Sequence, residues 1–149
     1  MKAPILFWAA RLILAAVFIY AAIIKIGSPL DFADSIAAYQ LLPSAAINIL
    51  SLGLPVFELT CGLLVLTGFF LRIGTMGMLA MLSVFTLAIL TALVRGLDID
   101  CGCFGSRTWL DSNPWVALIR DLILIGFSIL VYRHQFRDKA SPALIPTAS

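Results

Sequence analysis

Charge is scarce in this chain, and that scarcity excludes most of the common function classes. Only 12% of its 149 residues are Asp, Glu, Lys or Arg, against 62% hydrophobic, and the mean hydropathy is +1.07. No soluble domain of this length can hide so much apolar surface, which makes the chain an integral membrane protein with the lipid bilayer as its first partner. The ten Lys and Arg form neither a basic stripe nor a frame for zinc-finger spacing, so no nucleic acid is expected. Cysteine is as sparse: three residues cannot build a disulfide framework, and they allow one exchanging pair plus a leftover thiol, Cys61, which reads as apolar packing in a helix. Histidine occurs once, at His134, past the last apolar run.

Against that background one short stretch stands out, Cys101-Gly102-Cys103-Phe104-Gly105, set in a polar segment between two long apolar runs. Gly102 has no Cβ to resist a tight backbone, and a disulfide there would close a very small, strained ring that is easily reduced, which suits exchange better than stapling. A purely structural bridge is not expected, because so short a loop constrains little of the unfolded chain. Two other readings stay open. Adjacent thiolates at Cys101 and Cys103 suit Cu(I), whereas a structural zinc site wants four ligands and only His134 and Cys61 remain to help. The stretch is otherwise a polar loop without chemistry.

Four apolar runs, at about residues 5–26, 45–70, 73–94 and 115–132, predict an all-α fold: a four-helix bundle in the membrane occupying residues 1–134. At 1.5 Å per residue the first run spans roughly 33 Å. Lys2 could open a signal peptide there, but Arg11 interrupts the would-be apolar core and more spans follow, so cleavage is not expected. Between the first two runs, residues 31–42 carry Phe32, Ile36, Tyr39 and Leu42 at helical spacing, which predicts a short helix in the interface plane. Pro55 predicts a kink or local break in the second span, and Gly53, Gly62, Gly68, Gly74 and Gly77 offer small positions for close helix approach. Trp109 and Trp115 bracket the end of the polar loop as interfacial aromatics, and residues 135–149 read as a disordered tail.

Four spans put both termini on one side. Lys2, Arg72, Arg133, Arg137 and Lys139 gather there, while the opposite side holds Lys25, Arg95 and Arg107 against Asp31, Asp34, Asp98, Asp100 and Asp111. The positive-inside rule then places the termini in the cytoplasm and the cysteine pair outside, which in a bacterial inner membrane is the periplasm, where disulfide traffic is normal. Arg95, Arg107 and Lys25 would favour a thiolate in that loop; Asp98 and Asp100 would oppose it.

Ionisable residues inside spans are costly and call for partners or a purpose. Depth along the helices predicts Lys25 paired with Asp121, beside Arg120, close to the cysteine loop, and Arg11 with Glu58 lining a polar pocket at mid-membrane. Such a pocket suits a quinone or a proton path; the equal alternative is that these charges only fix helix register.

Arg11, the Lys25-containing end with Gly27 and Pro29, Tyr39-Gln-Leu-Leu-Pro43, Pro55-x-x-Glu58-x-x-x-Gly62 and Cys101-Gly-Cys-Phe-Gly105 together resemble the DoxX-like membrane proteins, and within them the MauE branch. The resemblance implies a four-helix membrane protein that supplies or removes electrons for periplasmic thioredoxin-like partners, and so helps form or reshuffle disulfides in exported proteins. Quinone-linked thiol oxidases of the DsbB and VKOR types use two cysteine pairs, and a second pair is missing here. Either Cys101 and Cys103 perform both tasks, as a thiol-disulfide oxidoreductase, or the protein relays electrons within a larger complex. The rival reading is an assembly subunit that holds a metal ion, a lipid-like molecule or a partner enzyme and performs no chemistry.

Overall fold

A computed structural model describes residues 3–97 and 113–139. Among them it contains five helices and no strand: α1 Ala3–Gly27, α2 Pro29–Ala38, α3 Ser44–Thr67, α4 Leu71–Val94 and α5 Pro114–Lys139. Four of these are long and apolar enough to cross a membrane, at Ile5–Gly27, Ser44–Thr67, Leu71–Val94 and Pro114–Gln135. The all-α membrane bundle read from the sequence is therefore the observed architecture.

The breaks between helices follow from local chemistry. Gly27 and Ser28 end α1, and Pro29 opens α2, where a missing N–H costs nothing and the fixed φ is already helical. Gln40, at φ 51°, turns the chain out of α2, and extended Pro43 leads into α3. Pro55 lies inside α3 without breaking it, and the helix runs from Ser44 to Thr67. The α3–α4 connection is a tight left-handed turn, with Gly68 at φ 81° and Phe70 at φ 53°. Pro114 starts α5, and α5 stays helical through Lys139, beyond both the expected end at Tyr132 and the expected onset of disorder at 135.

The spans form a closed ring in the order α1, α3, α4, α5, each antiparallel to its neighbours, and the backbones of the diagonal pairs do not approach closely. We call the end from which residues 98–112 connect α4 to α5 the loop end, and the opposite end the terminal end. Helices α3 and α4 are level along their length: a Cβ on Gly74 would lie 3.0 Å from Leu64 Cβ, and one on Gly77 would lie 2.7 Å from Cys61 Sγ. Helix α1 is displaced toward the terminal end, because Arg11 lies opposite Val65 and Lys25 opposite Glu58. It stops about halfway along α3, and α2 packs on α3 with Phe32 and Ser35 buried.

Leu14, Val65, Met78 and Val131 are wholly buried at the centre of the ring, and Tyr39, Ile89, Ala92 and Ala117 make a second cluster toward the loop end. Outward lie Ile49, Leu52, Val56, Val84 and Leu87, all exposed. Hydrocarbon solvates those side chains as well as a protein interior would, so the outer surface needs no cover. The hydroxyls of Thr60, Ser83 and Thr86 are spent on carbonyls of their own helices four residues back, as an apolar surrounding requires.

Candidate functional site

The charged side chains predicted to meet inside the membrane do so in a different combination. Lys25 Nζ donates to Glu58 Oε1 at 2.6 Å, and the two side chains are 1% and 6% exposed. Depth counted from the end of its span puts Lys25 beside Asp121; the displacement of α1 toward the terminal end instead brings Lys25 level with mid-α3. Asp121 lines the same pocket and accepts from its neighbour Arg120, whose Nε lies 3.2 Å and Nη2 3.1 Å from Asp121 Oδ1. Lys25, Glu58, Arg120 and Asp121 thus share one small cavity of about 30 Å³, room for a water molecule or two.

Aromatic rings complete the surroundings of Lys25. Its Nζ sits 4.8 Å from the centroid of Phe32 and 5.1 Å from that of Phe85. Rings in an enclosed apolar site attract the ammonium through their negative faces, which offsets part of its lost hydration. Glu58 Oε2 is buried and has no hydrogen-bond partner among the described residues. An orphaned carboxylate oxygen in such a place is costly, so it marks the part of the pocket with spare capacity.

Arg11 is not part of this site. Its guanidinium turns to the end of α3, where Nε donates to the Val65 carbonyl at 2.7 Å and Nη2 to the Leu66 carbonyl at 3.0 Å. Those carbonyls belong to the last turn of α3, which has no further intrahelical donors, and a cation there also suits the helix dipole. Trp8 packs against the same guanidinium at 4.8 Å. Glu58 lies seven residues before Val65, roughly 10 Å along the helix, so the expected Arg11 and Glu58 pocket does not form. Gly68 is the complement of this arrangement: at φ 81°, a Cβ there would lie 2.5 Å from Arg11 Nη2.

Cys61 is buried at 3% exposure between α3 and α4, in the packing role expected of it. Lys25 is engaged with Glu58, and Arg95 Nη1 donates to the Tyr39 carbonyl at 3.1 Å, so neither is a freely held cation for a nearby thiol. Cys101, Cys103, Phe104, Gly105, Arg107, Asp98, Asp100 and Trp109 lie outside the described residues, and with them the pairing or copper binding of the two thiols. No group of three potential metal ligands occurs among the described residues. Phe32 and Phe85 were not legible as site residues, because a lone Phe in an apolar run carries no signal of what it faces.

Comparison with known proteins bears on the whole arrangement at once. A family model described as "Methylamine utilisation protein MauE" matches residues 3–133, which takes in α1 to α4, most of α5 and the Cys101-Gly102-Cys103 stretch. The chain belongs to the MauE family. Curated relatives agree: the methylamine utilization protein MauE of Paracoccus denitrificans is 31% identical over 131 residues, covering 86% of this chain and 69% of the relative. The MauE proteins of Paracoccus versutus, at 30% over 87% of this chain and 69% of the relative, and of Methylophilus methylotrophus, at 32% over 82% of this chain and 65% of the relative, are similar. No solved structure matches the chain. With its four apolar spans, this MauE-family protein is a multi-pass membrane protein of a bacterial family.

Proposed function

We propose that the protein is an inner-membrane thiol–disulfide relay, exchanging electrons through Cys101 and Cys103 with a periplasmic thioredoxin-like partner, in support of disulfide formation or maturation of exported proteins. The observation that carries this reading is the Cys101-Gly102-Cys103 spacing between two membrane spans of a MauE-family chain. The relatives' names attach them to methylamine utilisation, and maturation of an exported protein of that pathway is the role we infer here. The wider DoxX-like kinship suggested by Arg11, Tyr39 to Pro43 and Pro55 to Gly62 belongs to the same reading. The charge distribution supports an orientation with the termini in the cytoplasm and residues 98–112 in the periplasm.

In the exchange, a thiolate of one protein attacks a sulfur of the other's disulfide, forming a mixed disulfide and expelling one thiolate. The second thiolate of the attacking pair then breaks the mixed bond, leaving one protein oxidised and the other reduced. The bundle's part is to hold the ends of α4 and α5 together, which it does through the core around Ile89, Ala92 and Ala117, with Arg95 tied to the end of α2.

Trapping tests the reading. Membranes carrying Cys101→Ala or Cys103→Ala are quenched with acid and alkylated; the variant lacking the resolving thiol should accumulate a mixed disulfide with a soluble partner, and the other should not. If neither variant yields one, and the pair in the unaltered protein stays permanently reduced, the relay reading is wrong.

A further inference from the structure

Two cavities lie back to back toward the loop end of the bundle. One is the polar pocket of Lys25, Glu58, Arg120 and Asp121. The other is a groove of about 320 Å³ between α2, α3 and α4, walled by apolar surface from residues such as Ile36, Leu54, Leu87 and Ala88. Phe85 of α4 lines both. Among the described residues Phe85 is the one that both cavities share, it is partly buried, and its ring faces Lys25 Nζ.

Size and charge restrict what this pair of cavities can hold. At about 30 Å³ the polar pocket admits water but no ring, whereas the groove reaches the lower end of ligand sites, which run to roughly 300–1,000 Å³. Among the described residues the pocket contains two basic and two acidic side chains, a formal sum of zero. A phosphate headgroup there would meet the buried carboxylates of Glu58 and Asp121, and a cation would meet buried Lys25 and the partly exposed Arg120, so either adds a net charge to a site that is balanced among the described residues. A neutral head fits: its oxygens accept from Lys25 or Arg120, and in a hydroxyl form they donate to Glu58 Oε2, a buried atom without a hydrogen-bond partner among the described residues.

We infer that rotation of Phe85 joins the cavities and that the joined site binds a lipophilic para-quinone. The ring lies at the Lys25 and Glu58 end, and the alkyl or isoprenoid tail lies in the groove. The site gains its purpose from the relay reading, on which it rests: oxidation of the Cys101 and Cys103 thiols to a disulfide releases two electrons and two protons, and the quinone takes up both pairs to become the hydroquinone. Arg11, the residue first expected to line a quinone site, is excluded from it by its place at the end of α3.

The test is equilibrium binding of radiolabelled decyl-benzoquinone to the full chain in phosphatidylcholine nanodiscs. The unaltered protein should show one saturable site per chain. Ala88→Phe, which fills the groove, and Val84→Trp, at an exposed position on its rim, should each weaken binding by about tenfold or more. Glu58→Gln should weaken it as well, while Gly53→Leu, at a position with open space around it, should not. Absence of saturable binding, or equal binding by all the groove and pocket variants, overturns the site. Displacement of the probe by phosphatidylglycerol as readily as by unlabelled quinone overturns it in favour of a phospholipid. The double variant Cys101→Ser, Cys103→Ser should bind normally. Binding without any trapped mixed disulfide therefore fails the relay alone, and a trapped mixed disulfide without binding fails the quinone site alone.

Discussion

Lys25 and Glu58 form a contact of 2.6 Å between α1 and α3 with almost no exposure to solvent. Removing one member of such a pair leaves an uncompensated buried charge, which typically costs about 3–5 kcal/mol, whereas replacing both by apolar groups is often neutral. Lys25→Met alone and Glu58→Leu alone should therefore lower the thermal unfolding temperature in detergent sharply, and the double variant should recover most of the loss. A double variant no better than the worse single one would show that the pair does not act as a unit.

The fork of Arg11 onto the Val65 and Leu66 carbonyls leads to a separate expectation. A lysine presents a single ammonium and cannot reproduce two donors in a plane. Arg11→Lys should destabilise the protein by about 1–2 kcal/mol and Arg11→Met by more, on the scale of charge-assisted hydrogen bonds. Gly68→Ala should do likewise, since it combines a left-handed backbone with a clash against the guanidinium. Unfolding midpoints in detergent check all three, and none should alter quinone binding in whatever fraction remains folded.

Between α3 and α4, Gly77 and Cys61 pack too closely for another carbon: a Cβ on Gly77 would meet Cys61 Sγ at 2.7 Å and Phe57 Cζ at 3.2 Å. Overpacking of this kind costs about 1–3 kcal/mol. Gly77→Ala should destabilise, and adding Cys61→Ala should restore part of the loss, a coupling that a double-mutant cycle measures. Cys61→Ala by itself should leave thiol exchange intact.

Orientation is open to direct labelling. A membrane-impermeant maleimide should modify reduced Cys101 or Cys103 in intact spheroplasts, with Cys61 protected by burial. Labelling that requires permeabilised cells would invert the topology.

The spans were legible in the sequence because membrane helices announce themselves by length and hydropathy, and the short α2 was legible from Phe32, Ile36 and Tyr39 at helical spacing. That Glu58 and Lys25 needed partners was legible too. Which partner each takes was not. Depth had to be counted from the ends of the apolar runs, and this assumed helices level with one another. The slide of α1 against α3 moved Lys25 from Asp121's side to Glu58 and Arg11 from Glu58 to Val65, and nothing in a hydropathy pattern records a slide. Phe85 was invisible for a related reason: it lines two cavities, and these exist only once α1, α3, α4 and α5 have closed the bundle and α2 lies beside it.

Both buried cations of α1 find their described partners on α3, Arg11 at Val65 and Leu66 and Lys25 at Glu58. The two contacts lie 14 residues apart on α1, about 21 Å along its axis, and so act as two anchors that hold α1 in one register against α3. Losing either one frees that end of α1 to slide while the other end stays held.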